Sequence, residues 1–113
     1  MWKVEPNKLC RKHLLGEHAE MHMFAGTIRA GKSVQGYLDK GLVELRAILP
    51  RHERLKAEML KRGYRHASPL QAIPVQPNLG KVDVASNYRE LRRRCSDCKN
   101  LAFVKEYRKD VEK

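Results

Sequence analysis

The sequence predicts an all-α protein: a compact single-domain bundle of three to four helices, with an extended proline-rich arm and a basic C-terminal segment. Three observations predict it. The chain has 113 residues, the length of one domain with one modest core. Apolar residues recur at helical spacing in its longest regular stretches, and no run alternates apolar with polar residues as a half-buried strand does. Three prolines, Pro69, Pro74 and Pro77, fall within one aperiodic stretch.

The first element spans Asn7–Arg29. Pro6 and Asn7 punctuate its N-terminus, and Leu, Met and Ala dominate the residues after them. Gly16 and Gly26 each cost a helix about 1 kcal/mol against alanine, a cost that close approach of a neighbour or a ligand would explain. Arg29 to Gly41 holds Gly31, Ser33, Gly36, Asp39 and Gly41 and reads as a turn-rich connection. Leu42, Leu45, Ile48 and Leu49 then form one helical face. Pro50 either kinks that helix or sits in the first turn of the next. Arg51–Arg62 is helix-forming, with Leu55 and Met59 on one stripe and Gly63 as its C-terminal cap. Ser68 to Gly80 reads as an extended ordered arm. Asn87–Arg94 is helical again, and Leu101–Val111 is expected to carry a last short helix. Residues 1–113 are read as one domain, with 81–113 its basic, cysteine-containing end.

Lysine and arginine number 24 against 13 aspartates and glutamates, a net charge of +11, and the pI is near 9.9. The expected partner is therefore a polyanion, with DNA or RNA first. No basic amphipathic helix with a Trp/Phe/Leu face argues for a membrane surface, and no apolar run is long enough to span a bilayer. The opening Met-Trp-Lys-Val-Glu-Pro has no apolar signal core. Three cysteines are too few, and odd in number, for a secreted disulfide scaffold. A cytoplasmic monomer without a membrane partner is expected.

The densest polar cluster lies in the first helix. His13, Glu17 and Glu20 are four and three residues apart and share a stripe that Phe24 extends. His18 and His22 lie on another stripe. They invite a zinc reading, but H-E-x-x-H is absent and two histidines leave such a site short of ligands, so solvated residues on a half-exposed helix are the plainer reading. The first stripe runs among Leu14, Leu15, Met21, Met23 and Phe24. A carboxylate buried there must be paired or must raise its pKa, as catalytic carboxylates do. On pattern alone, a structural Glu20 bridged to one of the arginines is the slightly better fit.

Two segments carry a family resemblance. Lys12-His13-Leu14-Leu15-Gly16-Glu17-His18-Ala19-Glu20 resembles the His-Leu-x-x-Glu-x-x-Glu signature, followed by a glycine (here Gly26), of the pyrimidine dimer DNA glycosylases with AP-lyase activity, the phage endonuclease V type. Glu58-Met59-Leu60-Lys61-Arg62-Gly63-Tyr64 is similar to that family's helix-ending Glu-x-Leu-Lys-Arg-Gly-aromatic segment. Together the blocks frame about residues 8–70. The resemblance implies a compact all-α enzyme that cleaves the glycosidic bond of damaged pyrimidines in double-stranded DNA and then cuts the strand. Its nucleophile would be the N-terminal α-amine, which attacks C1′ and forms a Schiff base, and the carboxylate that assists would be Glu20. An imine-forming nucleophile must be a neutral amine. Lysine titrates near ~10.4 and an α-amine near ~7.7–8.0, so the terminus is far richer in free base at neutral pH. Because residue 2 is Trp2, the initiator is expected to be retained and Met1 itself would have to serve. The terminus lies closer to its glutamate than in the family, and Ala19 and Met23 stand where the phage enzyme flanks that glutamate with arginine.

His13 and Glu17, with Arg11, Lys12, Arg29 and Lys32, are the candidates for substrate binding, since basic clusters near the active helix would hold phosphates without reading sequence. Lys61, Arg62 and Arg65, and Arg89 with Arg92 to Arg94, are further basic clusters. Trp2, Tyr37 and Tyr64 are candidate wedges for unstacking a nucleotide. The expected chemistry needs no metal. Cys95 and Cys98 form C-x-x-C, and Cys10 and His13 form C-x-x-H, so the four could hold a structural zinc. A labile redox pair and unlinked thiols are the alternatives. The competing readings of the whole are a non-enzymatic nucleic-acid-binding helical module and a small zinc-stabilised interaction domain.

Overall fold

The computed structural model describes residues 1–65, 69–70, 73–74 and 76–100. Its regular elements are helical: a 3-10 turn at Pro6–Lys8, α1 (Arg11–Arg29), α2 (Gln35–Asp39), a 3-10 turn at Leu45–Ala47, α3 (Ile48–Lys61) and α4 (Val84–Arg94). Residues 96–100 are also helical. No strand occurs among the described residues, and the all-α expectation holds.

Helix α1 buries Leu14, Glu17, His18, Met21, Phe24 and Ala25, a three- and four-residue rhythm that makes one continuous face. Helix α3 answers with Ile48, Arg51, His52, Leu55 and Met59. The two faces pack on each other and form the centre of the molecule. Each stripe carries polar residues in its middle, so the helix pair joins through buried polar contacts as well as through Leu and Met.

The first helix is shorter than its sequence suggests. The expected helix over Asn7–Arg29 is instead a 3-10 turn, a break at Leu9 and Cys10, and α1 from Arg11. Arg62 explains the break: its Nη2 donates to the carbonyl oxygens of Pro6 and Leu9, at 3.1 and 2.6 Å, which fixes the turn against the end of α3. Gly16 and Gly26 permit no close approach. A Cβ at Gly16 would meet open space, and one at Gly26 would only brush the Arg29 side chain at 3.9 Å.

The expected helix over Leu42–Leu49 is also corrected. Residues 42–44 form no regular element, Leu45–Ala47 makes a single 3-10 turn, and Leu42 and Leu49 are exposed. This segment lies beside residues 79–82, with the Leu45 N–H donating to the Leu79 carbonyl at 3.0 Å. Gly80 makes that approach possible. Its φ is +88°, and a Cβ there would sit 2.1 Å from the Val43 carbonyl oxygen.

The connection between α1 and α3 contains the short α2 inside its turns. Pro50 falls in the first turn of α3, where its missing N–H costs nothing. Gly63, at φ +82°, follows the last residues of α3, and the Tyr64 N–H closes the end on the Met59 carbonyl at 2.9 Å. Of the proline-rich arm, the described residues form no regular element, while Leu70 and Ile73 pack against the core. Helix α4 begins at Val84, three residues earlier than expected, because the Asp83 carboxylate accepts from the Ser86 N–H at 3.0 Å. The helix expected over Leu101–Val111 lies outside the described residues. Among the described residues, no helix is long and apolar enough to cross a membrane.

Candidate active site

The amino-terminal segment threads into the molecule and is held at each of its first four residues. The Met1 ammonium donates to the Glu20 carboxylate and, at 2.9 Å, to the Leu42 carbonyl oxygen. Asn87 on α4 donates to the Trp2 carbonyl at 2.9 Å. The Lys3 ammonium pairs with Glu44, and Arg51 Nη2 donates to the Val4 carbonyl at 2.7 Å. The backbone turns sharply at Lys3, whose φ of +59° is a left-handed conformation that costs a side-chain-bearing residue about 1–2 kcal/mol. These contacts hold the strained turn in place. The Met1 side chain is fully buried while Glu20 is about one-third exposed, so the pair opens to solvent on the glutamate side.

Glu17 and Glu20 share a stripe yet differ in role. Glu17 is 2% exposed and is clamped by Arg51 through two hydrogen bonds, one of them 2.9 Å from Nη2. The structural arginine bridge that the sequence allowed for Glu20 is therefore formed by its neighbour one turn earlier. Arg51 Nη1 is buried without a hydrogen-bond partner. Arg51 also lines a cleft of about 410 Å³ with Lys3, Glu44, Arg46, Arg54 and Asn78. Glu44 orders one wall of that cleft. Burial pushes its carboxyl up, but the Lys3 ammonium and the Val82 N–H (2.9 Å) outweigh this and hold it below the ordinary range.

The stripe's third member, His13, faces elsewhere. Its Nδ1 lies 3.2 Å from Cys10 Sγ and 3.4 Å from Cys98 Sγ, and Cys10 Sγ lies 3.8 Å from Cys95 Sγ. Trp2 packs edge-on against the His13 ring at 5.9 Å. Burial, and then the neighbouring Lys12 charge, hold His13 below the ordinary imidazole value. Burial pushes the Cys98 thiol up to about 12, whereas at Cys95 hydrogen bonds from Cys98 and Cys10 outweigh burial and hold the thiol below its usual value. All three cysteines are free thiols.

His18 and His22 are not simply solvated. His52 of α3 joins them, with its Nε2 3.2 Å from His22 Nε2 and the three ring centroids 4.7–4.9 Å apart.

Of the remaining sequence candidates, Arg11, Lys12, Arg29 and Lys32 are exposed. Arg11 stacks over Tyr64 at 5.0 Å, and Tyr37 packs edge-on against Phe24. None of these four basic residues lines the cleft at Lys3, which uses Arg46, Arg51 and Arg54 instead. Those arginines, with Lys3, Glu44 and Asn87, are not singled out by any sequence pattern. Arg46, Arg51 and Arg54 recur at five- and three-residue intervals, and only the α3 register shows which of them faces inward.

A family model described as pyrimidine dimer DNA glycosylase matches residues 1–72, a span that includes Met1, Glu17, Glu20, Leu42 and Arg51. No curated protein matches, and no solved structure matches.

Proposed function

The chain belongs to the pyrimidine dimer DNA glycosylase family, and from that premise we propose that the Met1 amine is its nucleophile, with Glu20 as acid–base partner and strand cleavage following base release. Membership makes it an enzyme of DNA repair with DNA as substrate. The observation that carries the finer reading is the pairing of the Met1 nitrogen with the Glu20 carboxylate at an opening to solvent.

The chemistry follows from that pair. The Met1 ammonium gives a proton to Glu20, which frees the nitrogen lone pair. The lone pair attacks C1′ of the damaged nucleotide as the glycosidic bond breaks and its electrons leave with the base. The attached nitrogen gives its extra proton to the departing base, protonated Glu20 gives its own to the ring oxygen, and the sugar opens to an iminium on the Met1 nitrogen. Loss of a C2′ proton to the glutamate expels the 3′ phosphate by β-elimination, and water releases the free amine. Leu42's carbonyl orients the nitrogen, and the Arg51–Glu17 clamp fixes the helix that carries Glu20. Lys3, Arg46 and Arg54, which line one cleft, would provide cationic contacts for the phosphate backbone.

Glu20→Gln tests the reading. It keeps volume and polarity but removes the base, and loss of a positioned acid–base group costs on the order of 10²–10⁴ in rate. Incision of dimer-containing duplex should collapse by that factor while DNA affinity is retained. Incision at the wild-type rate would reduce Glu20 to a tether for the terminus.

A further inference from the structure

We infer that Cys10, His13, Cys95 and Cys98 form a closed tetrahedral site for one zinc(II) ion that fastens the end of α4 to the start of α1. The site shares no residue with the Met1–Glu20 pair and takes no part in the proposed chemistry.

The geometry is that of a ligand shell. The four donor atoms all lie within 4.8 Å of one another. A tetrahedral zinc with Zn–S near 2.3 Å and Zn–N near 2.0–2.1 Å sets its sulfurs about 3.8 Å apart and each sulfur about 3.5 Å from the nitrogen. The Cys10–Cys95 separation is 3.8 Å, and His13 Nδ1 lies 3.2 and 3.4 Å from the sulfurs of Cys10 and Cys98. A disulfide would need about 2.05 Å between sulfurs, and all three cysteines are free. The set of three soft thiolates and one imidazole selects zinc over hard, oxygen-seeking cations.

Backbone and surroundings suit thiolates. The Cys10 N–H points at Cys98 Sγ at 3.3 Å, and the Cys98 N–H at Cys95 Sγ at 3.5 Å. Such donors stabilise charge on sulfur and orient the ligand. Cys10 is the N-cap of α1, with an extended backbone at ψ 168°, and Cys95 is the extended C-cap of α4. Both cysteines therefore sit at helix ends, where their side chains are free to converge. Three thiolates and a zinc ion leave one net negative charge, on ligands that Arg11 and Lys12 and Arg92 to Arg94 flank in the sequence. Cys98 and Cys10 are buried and His13 and Cys95 half-buried, and four protein ligands leave no open position, as in structural rather than catalytic zinc sites.

Two ligands lie inside the family-matched span and two beyond it. The ion would thus join the C-terminal segment to the family-like part. Because Trp2 packs on the His13 ring and α4 holds the Trp2 carbonyl through Asn87, the clamp also steadies the segment that ends in the Met1 amine.

Metal analysis of the full chain, purified under reducing conditions without added DNA, tests the site independently of the nucleophile. One equivalent of zinc is expected. A strong chelator should lower the melting temperature, added zinc should restore it, and cobalt(II) in its place should give the absorption of a tetrahedral thiolate site. Cys98→Ser should bind less than a tenth of an equivalent, and His22→Ala should keep the whole equivalent. Should Cys98→Ser fail to fold, zinc and cobalt titration of the chelated wild type decides. Folded wild-type protein with no zinc and no zinc-dependent shift in melting would overturn the site. So would zinc that survives Cys98→Ser and is lost in His22→Ala, since the metal would then belong to the His18/His22/His52 cluster.

Discussion

Arg51 reaches across from α3 and binds both oxygens of the buried Glu17 carboxylate, one turn before Glu20 on α1. The same guanidinium donates to the Val4 carbonyl. A single side chain therefore joins the helix that carries the carboxylate to the segment that carries the amine.

Removing one side of this pair should be severe. Arg51→Met leaves a charge stranded in the core, a loss of about 3–5 kcal/mol on removal of one partner. Adding Glu17→Gln should recover a large part of it, since the stranded charge disappears. Urea unfolding of the two singles and the double reads this coupling directly. Additive losses would show that Glu17 does not depend on Arg51.

The glycines separate cleanly by environment. Gly16 is exposed in mid-helix with nothing near its absent Cβ. Gly16→Ala should stabilise by about 0.5–1 kcal/mol, seen as a rise in melting temperature of a few degrees. Gly80→Ala should do the reverse by more than about 2 kcal/mol, because the left-handed backbone and the Val43 carbonyl both oppose a methyl group. A neutral Gly80→Ala would mean that residues 42–45 and 79–82 do not lie together.

Glu44 gives an acid-limb signature. Its carboxyl titrates below the ordinary value of 4.5 in the folded chain, held there by Lys3 and Val82 against the effect of burial. Its contribution is thus complete above that ordinary value and is lost as pH falls through the lowered one. Glu44→Gln should be less stable than wild type at pH 6, and the gap should close on descent toward pH 3. A gap that stays constant across that range would remove the ionised pair as its cause.

Much of the fold was legible because α1 and α3 bury long, regular stripes, and the motif drew attention to Glu20 before its partner was visible. The resemblance named Met1 as that partner, but the path by which the two meet was not legible. The segment that brings Met1 to Glu20 turns at Lys3 with a left-handed φ, and no periodicity announces such a turn in a lysine. Burial, which pattern alone cannot grade along one stripe, assigned the arginine to Glu17 and left Glu20 open. Leu42 to Leu49 misled for a tertiary reason: pairing with residues 79–82 overrides a helical pattern of leucines. Cys10 and His13 looked like two residues on one helix, whereas Cys10 caps it and turns its thiol toward Cys95 and Cys98.

Borohydride trapping tests the central claim most directly. Incubated with dimer-containing duplex and reductant, the protein should become covalently attached to DNA through the reduced imine, and peptide mapping should place the bond on the Met1 nitrogen. Acetylation of that amine should abolish the adduct. An adduct on the Lys3 side chain, or incision that proceeds with no trapped species, would contradict the account.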